Sequence, residues 1–171
     1  MKFERSPQLR VAVPLGLLVA AWCFALAATA AETVGIPQVV PIAEDVDVSP
    51  AVRNECQLGE KVSSFLAEFS PDVKVSEDTK QGRYLRMAIT EVTAFGGGAW
   101  SGAKWMTVKG TLVENDKPIA SFRAKRYSTG GAFGGFKGTC SIIGRCTKAI
   151  AQDIAEWLKN PVDDARLGDA Q

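Results

Sequence analysis

The sequence predicts an α+β fold: a two-layer sandwich in which an antiparallel meander sheet carries two helices on one face. Three observations predict it. Two segments repeat apolar residues at helical spacing, three further runs alternate apolar and polar residues, and the last two of those runs are joined by a turn of hairpin length. With 171 residues, 46% hydrophobic and 23% charged, and with 16 Gly and 8 Pro, the chain has the length and composition of one ordinary globular domain.

The elements follow in order. Residues 34–42, VGIPQVVPI, read as a short strand that Pro37 and Pro41 confine to an edge or a partly paired arm. Ser49-Pro50 starts a helix, with a hydroxyl N-cap and Pro in the first turn. Leu58, Val62, Phe65, Leu66 and Phe69 then recur on one stripe until Ser70-Pro71 ends it. Gly59 weakens this helix relative to Ala by up to about 1 kcal/mol, which predicts a close neighbour there. Residues 72–76 read as a brief strand and 77–82 as a turn.

Residues 83–95 alternate as a strand, Leu85, Met87 and Ile89 on one face, Tyr84, Arg86 and Thr90 on the other. The same alternation puts Glu91 on the apolar face, where a carboxylate directed at the core would have a raised pKa, although such a group more often ends at the sheet edge in water. After a glycine break, residues 104–114 place Met106, Val108 and Leu112 on one face. Glu114-Asn115-Asp116-Lys117 turns the chain, and residues 118–127 return with Ala120, Phe122 and Ala124. Trp105, Lys109, Thr111, Arg123 and Lys125 share the polar face, the pattern of a sheet covered on one side. Residues 128–138 form a glycine-rich loop. A second helix over about 141–159 aligns Ile143, Cys146, Ile150, Ile154 and Trp157 until Asn160-Pro161 stops it. Residues 161–171 are read as a flexible polar tail. The domain organisation is thus a leader over 1–30, a single α+β domain over 31–160, and that tail.

The leader is a secretory signal peptide by pattern. Lys2, Arg5 and Arg10 precede the apolar run Val11 to Ala28, and Ala28-Thr29-Ala30 supplies the small residues of a cleavage site, placed after Ala30 with Ala31 as the neighbouring alternative. A retained anchor is the rival reading, weakened by Pro14, Gly16 and the many alanines. Cys23 follows Trp22, which does not fit a lipobox. Cleavage removes Lys2, Arg5, Arg10 and Glu4 and leaves 141 residues with net charge −1. The expected location is a bacterial periplasm, or secretion, with no stable transmembrane anchor after processing.

Export means an oxidising compartment in which Cys56, Cys140 and Cys146 can form one bridge. In continuous helix Cys140 and Cys146 would lie about 9 Å apart along the axis, too far for a bond. A turn at Gly144 makes the local pair feasible, and the reading favours Cys140–Cys146, with Cys56 bonding to either partner as the rival. The chain has no His. That removes Ser-His-Asp and Cys-His catalysis and leaves any thiol without its usual base. No Cys-x-x-Cys unit marks a metal site, and no cofactor motif is present: the run Gly134-Gly135-Phe136-Lys137-Gly138-Thr139 has the wrong order for a phosphate loop.

Two sets of residues are candidates for binding. Trp100, Trp105, Phe133 and Phe136 interleave with glycines, and Lys137 precedes the second helix, where loop amides can hold an anion; together they form a candidate platform for a glycan or an anionic small ligand. Charge is also uneven. Residues 32–98 carry net −5 and residues 99–148 net +7, and Lys104, Lys109, Arg123, Lys125 and Arg126 make a basic sheet face suited to an anionic partner or lipid headgroups. Nucleic acid is not expected for an exported chain.

The order of strand, helix, three-stranded meander and helix carries QVVPI at 38–42, MAITEVTAFGGG at 87–98 and MTVKGTLVENDKPIASFRAKRYSTGG at 106–131. In that order and apolar pattern, over about residues 34–160, the chain resembles exported bacterial domains of unknown function. These are similar in turn to the small N-terminal domain of TolB and the curli secretion lipoprotein CsgG. The resemblance implies an envelope accessory or assembly role and carries over no functional residue. The sequence reading is therefore a non-catalytic periplasmic accessory protein acting through protein–protein binding to an envelope partner. A glycan or anionic-ligand module is the alternative, and a His-independent hydrolase the least favoured.

Overall fold

A computed structural model describes residues 33–77, 82–94, 102–129 and 136–170. Among them, six strands form one sheet in the order β2-β1-β3-β4-β5-β6. β1 is Val34–Ile36, β2 Val73–Val75, β3 Arg83–Thr93, β4 Lys104–Glu114, β5 Lys117–Ser128 and β6 Ala165–Gly168; the helices are α1 Pro50–Glu55, α2 Leu58–Phe69 and α3 Thr139–Leu158. The α+β class and the antiparallel β3-β4-β5 meander hold as read. The sheet as a whole is mixed, because β1 runs parallel to β2 and β3, and β6 parallel to β5. No helix among the described residues is long and apolar enough to cross a membrane.

The covered face is built from cross-strand apolar pairs. Leu85 faces Leu112, Ile89 faces Val108, and Val108 in turn faces Ala124. The α3 stripe Ile143, Cys146, Ile150, Ile154 and Trp157 is wholly buried against this layer, the arrangement expected of a helix with one apolar stripe. Gly110 lies directly across from Phe122, and a Cβ there would sit 2.5 Å from the Phe122 ring. The absent side chain lets the Phe122 ring lie edge-on to Trp157 at 4.9 Å between centroids.

The local signals at the chain's corners act as read. The Ser49 hydroxyl accepts the Val52 N–H, with Pro50 at the first helical position. Asn115 and Asp116 both take positive φ, 50° and 62°, the backbone of a two-residue hairpin turn. A Cβ at Gly59 would fall 2.2 Å from the Val40 carbonyl oxygen, so the arm over 34–43 does press on α2 at that glycine. Val40 N–H also donates to the Gly59 carbonyl.

Two readings are corrected and one is narrowed. The first helix is two: Gln57 adopts a left-handed φ of 51°, which ends α1 before α2 begins. The segment over 34–42 is the partly paired arm of that reading: β1 plus one isolated pairing of Ile42 with Ile89, its ladder interrupted at prolines 37 and 41. The flexible polar tail is instead an element of the sheet. Ala165, Arg166, Leu167 and Gly168 pair with residues 122–125 of β5, and Ala165 is buried opposite Phe122. Buried Ala165 and Ala170, Leu167 packed on the core, and a ladder of backbone bonds order a short edge strand whose neighbours look polar.

The cysteine pairing is also corrected. Cys56 bonds Cys140 with a Cα–Cα distance of 4.9 Å, and Cys146 is free and buried. The reason is that α3 begins at Thr139 and continues through Gly144, so Cys140 and Cys146 lie in one uninterrupted helix and cannot reach each other. The bridge instead ties the end of α1 to the start of α3.

Candidate functional site

The face of the sheet opposite the helices is uncovered, and three neighbouring strands bring like charges together on it. Lys109 of β4 stands directly across from Arg123 of β5, and Arg123 across from Arg166 of β6. Adjacent strands are about 4.8 Å apart, so the row spans about 10 Å. Arg86 of β3 adds a fourth cation beside it. These four line a shallow groove of about 540 Å³ together with Ala88, Thr111 and Ser121, and Asp164 is the one carboxylate in its wall. Arg86, Lys109 and Arg166 are exposed.

At one end of the row a carboxylate cluster is complete in itself. Thr107 Oγ1 donates to Glu91 Oε2 at 2.8 Å, Arg123 Nη2 donates to Glu91 Oε1 at 2.8 Å, and Lys125 Nζ lies 3.5 Å from Oε2. The Thr107 hydrogen bond, with the two cations, holds the Glu91 carboxyl below its usual range. The face that alternation assigned to Glu91 is corrected, and of the two outcomes weighed for it the carboxylate in water is the one found. The β3–β4 register shifts between Ile89 and Glu91, so Glu91 pairs with Thr107 on the open face and Val92 turns into the core opposite Met106. A bulge of one residue reverses which side chains face the core.

Beyond this cluster the open face ends in aromatics. Trp105 stands across from Tyr127, which is 62% exposed, and Lys125 Nζ lies 5.9 Å above the Trp105 ring. Trp105 also borders a second groove, of about 550 Å³, with Asp45, Asp47, Ser49, Thr90 and Glu91 in its wall.

The structure divides the five residues read as a basic sheet face. Lys109, Arg123 and Lys125 are on the open face. Lys104 is fully buried at the start of β4, where its carbonyl accepts from the Cys146 thiol at 3.5 Å. Arg126 projects to the helical side: it donates to both Asp153 carboxylate oxygens at 2.7 Å and stands 3.5 Å from Asp169. Both belong to the even-numbered set of their strands, which the pleat turns toward the helices. Of the aromatic candidates, Trp105 is on the open face. Phe136 is 94% exposed, and with Lys137 it leads into α3; neither lines the basic groove. Trp100 and Phe133 lie outside the described residues. Cys146, the one free thiol among the described residues, has its pKa pushed up to about 11 by burial. Sequence reasoning missed Arg166, since only its pairing with Arg123 brings it to the site; Arg86 was visible by alternation.

Comparison with known proteins gives a distant likeness. No family model matches the chain, and no curated protein matches it. Among solved structures it is similar to a PelC dodecamer protein from Paraburkholderia phytofirmans (13% identity over 72% of this chain and 89% of that one, TM-score 0.45). It is also similar to an uncharacterized protein (14% identity, 74% and 91% covered, TM-score 0.47) and to a Xanthomonas campestris protein described as DUF330 (10% identity, 73% and 82% covered, TM-score 0.43). Likeness at this level fixes neither family nor activity.

Proposed function

We propose that the protein acts by binding rather than catalysis, outside the cytoplasm, and that its binding surface is the uncovered sheet face, which takes an acidic partner. The row Lys109–Arg123–Arg166 carries this reading. Like charges directly opposite on neighbouring strands destabilise a sheet. Of these three cations only Arg123 has a carboxylate bound to it among the described residues, so an anion laid over the row relieves repulsion that the fold leaves in place.

Three further features support the reading. The Cys56–Cys140 bridge fits an oxidising compartment, in keeping with the signal-peptide pattern of residues 1–30 and a periplasmic or secreted location. The resemblance read from the sequence to exported envelope domains is in keeping with an accessory role there, through an acidic envelope protein or an acidic ligand. Some of the usual catalytic groups are missing or engaged: the chain has no His, the Cys146 thiol stays protonated at neutral pH, and the Glu91 carboxylate is taken up by three donors.

The test uses the chain from residue 31, titrated at low salt with polyglutamate, polygalacturonate, anionic vesicles and polylysine, with tryptophan fluorescence and sedimentation as readouts. At least one acidic probe binds, more weakly as salt rises, and the double variant Lys109→Glu/Arg166→Glu does not bind it. Failure of every acidic probe, or undiminished binding by the double variant, overturns the reading. Turnover of any substrate in a broad hydrolase screen overturns its non-catalytic half.

A further inference from the structure

We propose that the occupant of the open face is an acidic polysaccharide, held by its carboxylates on Arg86, Lys109 and Arg166 around the Glu91-bound Arg123, and by a sugar ring on the Trp105–Tyr127 pair. The inference rests on the binding reading above and narrows it to one class of partner.

Shape is the first argument. The groove is shallow and open along the sheet, bounded by side chains of four strands, which suits an extended chain that lies across it. A small anion is normally enclosed on most sides. The second is the alternation of chemistry. The aromatic pair Trp105–Tyr127 lies four residues along β4 and β5 from the pair Lys109–Arg123, about 13 Å away. A polymer that presents both flat ring faces and regularly spaced carboxylates meets both features at once. Aromatic faces pack on the C–H side of sugar rings, and guanidinium groups take carboxylates in paired hydrogen bonds. The third is what the face lacks. The large apolar side chains exposed elsewhere, Val39, Val75, Ile119, Phe136 and Val162, are not among the groove's lining residues, and Met87 and Phe122, which are, are themselves buried. A protein partner concentrates its binding energy on a buried apolar or aromatic centre, and a peripheral membrane contact inserts apolar side chains among the headgroups. Here the centre of the face is cationic and its aromatics stand at one end.

Binding of polygalacturonate, dextran of matched length, polyglutamate and anionic vesicles to the chain from residue 31 tests the proposal. Polygalacturonate binds; dextran and vesicles do not. Tyr127→Ala and Trp105→Ala each weaken polygalacturonate binding roughly tenfold and leave any polyglutamate binding unchanged, while Lys109→Ala/Arg166→Ala weakens both. Tyr127 is largely exposed, so its variant keeps the fold even where the Trp105 variant does not. Binding of polyglutamate or vesicles without polygalacturonate overturns the polysaccharide and leaves the anionic surface standing. Equal polygalacturonate binding by both aromatic variants overturns the sugar platform. Binding of no acidic probe overturns both readings.

Discussion

The two faces of the central sheet are made from the same three strands and treat charge in opposite ways. On the helical face Arg126 has Asp153 in a two-oxygen contact and Asp169 close by. On the open face Lys109, Arg123 and Arg166 share a row in which only Arg123 reaches a carboxylate among the described residues. Arg126 keeps about a third of its side chain in water, as Arg123 and Lys125 do, so the faces differ in where carboxylates are placed and not in how deeply the cations are buried. A charge in water tolerates a like neighbour for a small free-energy penalty, and the open face retains that penalty three strands wide. The contrast teaches that the covered face is organised for stability and the open one for something outside the chain.

Perturbing the covered side has the largest effects. Cys56→Ser/Cys140→Ser opens a loop between residues 84 apart in sequence and lowers stability by about 4 kcal/mol, seen as a fall in Tm of roughly 15 °C; a melt unchanged by reductant would refute the bridge. Next, Gly59→Ala destabilises by about 3 kcal/mol, because its Cβ meets the Val40 carbonyl. Gly144→Ala in α3 meets nothing within 4 Å and gains up to about 1 kcal/mol. Urea titrations of the two variants must therefore move in opposite directions.

The open side gives smaller responses. Glu91 has a folded pKa below its unfolded one, so its contribution is full above the ordinary carboxylate range and is lost as pH falls through the folded value. Glu91→Gln flattens that acid limb of a stability–pH curve by less than about 1 kcal/mol, given the exposure of the cluster. Smallest of all, Lys109→Thr raises stability by about 0.3 kcal/mol at low salt, by relieving the repulsion with Arg123. A clear loss would mean that Lys109 is held by the fold and would erase the contrast between the faces.

Periodicity made much of this legible. The α3 stripe, the alternation of β3, β4 and β5, the Ser49 cap and the Asn115-Asp116 turn all depend on residues within one or two turns of chain, so their physics is local. The basic face was legible as a composition and misread as a surface: Lys104 and Arg126 were counted in it by sign of charge alone, although alternation already assigned them to the other side. Glu91 fell to a bulge that no residue type announces.

What the sequence by itself determined is the inventory of periods: two apolar helical stripes, a half-apolar meander, a chain without imidazole, and an apolar run over residues 11–28. Only the tertiary structure decided which cysteines meet, that residues 165–168 close the sheet, and that Arg166 joins Lys109 and Arg123. Spacing along a helix or strand repeats over a few residues and leaves a trace in the sequence. Contact between residues 43 or 84 positions apart depends on how whole layers pack, and that is a property of the folded chain.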